Sequence, residues 1–169
     1  MSKQDIYALV SQGIDCPVIY AYQNGNRPEG VYATLHVRVV SRADQDERSR
    51  VADDGTRRIH GHRDCVVELQ VFGTGSCEVL EDFDIWTQTE ACGKICSDLN
   101  LAIFDRGTVT DAPALLNNST YEQRGLYEIW IRYTKQITEA VDFFNRVETQ
   151  SQQVGGLSDP HTIFNKTGV

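Results

Sequence analysis

An α+β domain is the fold class this sequence predicts: one mostly antiparallel sheet, a long and a short helix packed on one face, and an extended β-hairpin arm. Three observations carry that expectation. Val31 to Val39, Cys65 to Val71 and Tyr127 to Tyr133 alternate apolar and polar residues at period two, the pattern of half-buried strands. Cys77 to about Leu99 instead spaces its apolar residues as a helix does. Between the first two strands, Ser41 to His62 is too polar to pack on a core, so it is expected to stand off as an arm or to be mobile.

A chain of 169 residues can bury one core, and residues 1–148 are expected to form a single domain, with 149–169 as a tail. No run approaches the roughly 18 apolar residues of a membrane span, so no membrane partner is expected. The opening Met1 to Asp5 carries an acid and leads into too short an apolar run for a secretory signal. A reducing compartment follows, in which five cysteines at irregular spacings are expected as free, buried thiols. The net charge of -8, with no basic stripe, argues against general nucleic-acid binding on the outer surface.

In chain order, Ser2 as N-cap and Asp5 at the third helical position open a short helix whose face is Ile6, Leu9 and Val10 and whose stop is Gly13. Val18 to Tyr22 follows Pro17 as a strand, and Gln23 to Gly30 is a turn-rich surface loop. The two alternating runs then make a long hairpin over residues 31–72. Their odd residues share the core, so odd must pair with odd. A three-residue loop Asp53-Asp54-Gly55 with a left-handed glycine meets that parity and pairs Val39 with Leu69 and Val37 with Val71.

The helix after Gly73-Thr74-Gly75-Ser76 carries Glu78, Glu81 and Asp82 in its first turns, which suits the positive end of its dipole. Its apolar residues change phase. Val79, Leu80, Phe83 and Trp86 make one stripe; Ile85, Cys92, Cys96 and Leu99 make another on nearly the opposite side. Such a helix is bent near Thr87 to Thr89 or buried on two sides. From Tyr127 the odd residues Tyr127, Ile129, Ile131 and Tyr133 face the core, with Glu128, Trp130 and Arg132 opposite. Ile137 to Val147 fits a strand or a short helix equally. Gln150 to Val169 reads as a tail that is disordered or lies on a partner.

Several groups carry atoms suited to chemistry. Gly73-x-Gly75 between strand and helix has part of a dinucleotide loop, but the third glycine is missing, so a plain turn capped by Ser76 or Thr74 is the reading. His60, His62 and Asp64 share one strand face, with Cys65 beside them; a small enzyme or metal-binding protein using these four is the alternative function. Cys92 and Cys96 share a helical face without further ligands, as core thiols do. No histidine stands in a recognisable setting with a nucleophile, so no catalytic residue and no cofactor are assigned. The arm together with Arg63 and Asp64 sets six arginines against six acids, a balance that suits a protein partner better than DNA. Arg42, Asp46, Arg48, Arg50, Asp53, Arg57 and Arg58, with Glu128 and Arg132 on the polar side of the last long strand, are the expected partner-interface residues.

The block from Val109 onward orders its pieces distinctively. A short run ends at Asp111; Leu115-Leu116 follow; Asn117 to Thr120 is a polar turn; Glu122-x-Arg124 opens the long strand. This order resembles the C-terminal signature of the phage neck or tail-terminator family, and the resemblance reaches back through Val67 to Gly73, Arg27-Pro28 and Gln23-Asn24, over residues 5 to 135. It implies a structural virion protein, not an enzyme, that forms a hexameric ring. Such a ring caps the tail tube and presents a surface to the head connector. Implied partners are further copies of the chain, the tail tube, sheath protein and the head-tail connector or adaptor, with DNA passing through the lumen without specific binding. The implied location is the virion neck, with assembly in the cytoplasm of the host bacterium.

Overall fold

The computed structural model describes residues 3–42, 45–116, 120–141, 146–148 and 163–165. Helix α1 (Lys3–Gly13) buries Ile6, Leu9 and Val10, as their spacing requires. The Ser2 cap lies outside the described residues. Gly13 is the last residue of the helix, and it lacks a side chain for a reason of contact: a β-carbon there would run into the indole ring of Trp86.

Strand β1 (Val18–Tyr20) runs parallel to β2 (Tyr32–Arg42), with Val18 opposite Ala33. β2 pairs antiparallel with β4 (Thr56–Phe72), which also takes the short β3 (Glu47–Arg48). β4 neighbours β9 (Arg124–Ala140), whose other side takes β5 (Leu101–Arg106) and β6 (Thr110–Asp111), both antiparallel. β7 (Ala114–Leu116) and β8 (Thr120–Glu122) form a hairpin of their own. Among the described residues the sheet is thus mostly antiparallel, with β1 and β2 a parallel pair. Odd-numbered residues face the core on each long strand: Ala33, Leu35 and Val37, then Cys65, Val67, Leu69 and Val71, then Tyr127, Ile129, Ile131 and Tyr133.

The hairpin register keeps its expected parity while its partners move. Around the expected three-residue loop, Ala52 donates its N–H to the Thr56 carbonyl at 2.7 Å, and Gly55 stands at φ 76°. Yet Val37 faces Val67 and Leu35 faces Leu69, so the expected pairs Val39–Leu69 and Val37–Val71 do not form. The slack enters in steps. Glu47 faces His60, Arg42 faces Arg63, and a bulge between Val39 and Ser41 shifts the ladder once more. Together the shifts amount to an even number of residues, so odd still meets odd and one face stays buried.

The expected long helix is two helices, α2 (Ser76–Trp86) and α3 (Glu90–Asp98), broken where the apolar stripes change phase. Thr89 is extended, and its hydroxyl accepts the Cys92 N–H at 3.3 Å, an N-cap that starts a fresh helix. The restart lets Cys92 and Cys96 join the same core as Leu80 and Phe83. Ile85 is the exception to its stripe at 64% exposed. The cap expected from Ser76 or Thr74 does not form: Gly75 is the N-cap, without a side-chain bond, and Ser76 is buried.

The chain divides into two compact units, one of Met1–Asp46 with Gly61–Lys135 and one of Glu47–His60 with Gln136–Val169. Within the second unit the polar hairpin is not a lone arm. Val141 donates its N–H to the Gly55 carbonyl at 2.8 Å, and Arg57 holds Glu139 through two nitrogens at 2.9 and 2.6 Å. In the stretch Ile137 to Val147 the described ends are strand: β9 runs to Ala140, and β10 (Arg146–Glu148) pairs antiparallel with β11 (Ile163–Asn165), while 142–145 lie outside the described residues. The rest of the C-terminal segment lies outside the described residues.

Candidate partner interface

Of the four candidate ligands, His62, Asp64 and Cys65 have partners within the chain. Asp64 is gripped by Arg132, with Nε and one terminal nitrogen at 2.8 and 3.0 Å from its two oxygens, which holds the carboxyl below its usual range. His62 Nδ1 lies 3.0 Å from the Thr134 hydroxyl. Cys65 faces the opposite side, fully buried, with Sγ 3.4 Å from the Ile131 carbonyl, and burial pushes its thiol up to about 11. Among the described residues, no three of His, Cys, Asp and Glu are placed to hold a metal ion. In the glycine loop, Gly73 donates to the Gln123 carbonyl at 3.0 Å and Gly75 to the Gln123 side-chain oxygen at 3.2 Å. Those amides point at the protein's own chain and not at a phosphate.

Cys92 and Cys96 lie in the core with their sulfurs 4.0 Å apart, and burial pushes the Cys92 thiol up to about 12. The buried hydroxyl of Tyr127 donates to the Asp84 carboxylate, and Arg106 Nε stands 3.8 Å from the same carboxylate. This group ties α2 to β9 and β5. It braces the fold.

The residues that carry the sequence resemblance converge elsewhere in the first unit. Arg27 forms an ion pair with Glu122, whose side chain is only 13% exposed. The same guanidinium lies 5.3 Å from the Tyr32 ring centre and 5.8 Å from that of Phe72. Those two rings stack across the β2–β4 ladder at 5.1 Å, which is why Tyr32 is buried although it belongs to the polar face. Arg124 Nε donates to the Ala112 carbonyl at 2.8 Å, and Gln123 takes the two glycine amides. These ties surround the base of the β7–β8 hairpin. They anchor it to the sheet and to the loop before α2.

Beyond that base the hairpin presents apolar surface. Leu115 and Tyr121 are directly opposed across it, 55% and 74% exposed. Neighbouring residues on a strand point to opposite sides, so Glu122 turns toward Arg27 while Tyr121 and Leu115 turn away from it. Leu115 and Tyr121 thus form an exposed apolar pair on one side of the hairpin.

The interface residues expected from charge fall into both units. In the first, Arg42 ends β2 opposite Arg63, Asp46 binds Arg63 at 2.9 Å, and Glu128 binds Arg38 at 3.0 Å. Arg132 spans Asp64 and the face of Phe104, 5.1 Å from the ring centre. In the second unit Arg48, Arg50, Asp53 and Arg58 are exposed, and Arg57 is held by Glu139. Sequence reasoning from charge missed the apolar pair. Its signal was present in Leu115 and Tyr121 flanking a polar turn.

A fold whose signature segment braces an exposed hairpin has the build of a structural protein that acts by contact. A family model described as phage neck terminator protein matches residues 4–154. The chain belongs to that family and is a structural protein of the phage virion, placed in the neck of the tail, where it meets other head and tail proteins. No curated protein matches it.

Proposed function

We propose that this chain closes into a ring of identical subunits, hexameric as the resemblance implies, that caps the tail tube and joins it to the head connector. The observation that carries this reading is the exposed Leu115–Tyr121 pair, on a hairpin tied at its base by residues that carry the sequence resemblance. A head-to-tail ring requires two different surfaces on each subunit. An apolar hairpin face and the charged residues Arg42, Asp46, Arg48, Arg50, Asp53, Arg57, Arg58, Glu128 and Arg132 supply surfaces of different chemistry. The protein acts by contact and not by catalysis, and it assembles in the bacterial cytoplasm. Electron microscopy of lysates from a phage lacking this chain tests the reading. Filled heads beside unjoined tails of irregular length are expected, and joined virions with tails of normal length would refute it.

DNA passes through the ring during packaging and ejection in this reading. With a net charge of -8, the protein is expected to bind duplex DNA weakly and without sequence preference. Gel-shift titration checks this. Tight binding that persists at physiological salt would contradict it.

A further inference from the structure

We infer that Arg27 is a positioning residue that sets which face of the β7–β8 hairpin is offered to a partner, an inference that rests on the contact role proposed for Leu115 and Tyr121. Among the described residues, the hairpin makes no strand pairing with the main sheet. Its orientation therefore depends on ties at its base. Four come from the signature segment itself, through Gln123 and Arg124. The fifth is Arg27, which reaches in from the loop before β2 and, among the described residues, engages a side chain of the hairpin strands.

Arg27 is fixed from two directions. Its guanidinium is planar and lies beside the stacked rings of Tyr32 and Phe72, which limits where it can aim. From there it meets Glu122, a carboxylate largely withdrawn from water. Glu122 pairs across the hairpin with Ala114, and the next pair outward is Leu115 with Tyr121. Because side chains alternate, holding Glu122 toward the sheet holds the Leu–Tyr pair away from it. Without this tie, two large apolar side chains gain by turning onto the apolar rings of Tyr32 and Phe72, and the contact surface is lost. The clamp opposes that collapse.

The test is a double-mutant cycle on the full chain, with Arg27→Ala, Glu122→Ala and the two combined. Circular dichroism reports the fold, amide exchange over 114–122 reports the hairpin, and complementation of a phage lacking the protein reports function. Each single variant is expected to keep its helix and sheet content, to exchange about tenfold faster in the hairpin and to lose infectious yield; the combined variant should be no worse than either. Arg27→Lys, which keeps the charge but not the planar fork, should fall between wild type and Arg27→Ala, and it carries the test if the alanine variant fails to fold. Unchanged hairpin exchange in the single variants, additive effects in the double, or loss of fold in Arg27→Lys would each overturn the inference. Failure of the underlying contact role reads differently: Arg27→Ala would loosen the hairpin while yield stayed normal.

Discussion

Ile131→Ala and Ile129→Ala are each expected to destabilise the protein by about 2 to 5 kcal/mol, the cost of removing a buried aliphatic side chain and leaving a cavity. Both residues are fully buried on β9, in the cluster that joins the sheet to α1, α2 and α3. Their neighbours on the other face stand differently. Arg132 pairs with Asp64 at a side-chain exposure of 44%, and an exposed pair contributes about 0 to 1 kcal/mol. Trp130 is half-buried, so Trp130→Ala falls between the two. Thermal melts of the four variants check the ordering. Comparable losses for the isoleucines and for Arg132→Ala would contradict the assignment of faces.

Replacing Leu115 and Tyr121 together by serine is expected to abolish infectious particles while leaving the melting temperature close to wild type. The two side chains are largely in water, and surface changes of this kind alter stability by about 0.5 kcal/mol or less. At a contact the same residues matter far more, because a central apolar anchor contributes about 2 kcal/mol or more. A ring repeats that loss at every subunit. Complementation plating with matched expression is the measurement. A folded double variant that restores normal yield would remove the hairpin from the account.

The long strands were legible because each buries one face, which forces apolar residues onto alternate positions at Leu35, Val67 and Ile131. The break between α2 and α3 was legible as a change of phase. What it did to Ile85 was not, since the stripe could not say where one helix stopped serving the core. β5 offered too little repetition: a bulge between Ile103 and Asp105 leaves Phe104 outside the alternation. The parallel pairing of β1 depends on a crossing that no local pattern encodes. The register of β2 on β4 failed for a similar reason, because slips inside a polar hairpin leave no apolar trace.

The candidate site shows the same limit from the other side. Charge drew attention to the arm, where Arg57 proves to be engaged by Glu139 within its own unit. The decisive tie joins Arg27 to Glu122, residues far apart in sequence and ordinary in isolation. Their appearance in the resemblance was visible; the contact that makes sense of it needed the fold.

The central claim is assembly by contact into a closed ring, and the mass of the purified protein, alone and mixed with tail-tube protein, tests it most directly. Sedimentation is expected to show a closed particle several times the 19.0 kDa of one chain, in the free protein or on the tube, with no bound metal or nucleotide. A species that stays at the mass of one chain in both samples, with tube protein present in excess, would contradict it.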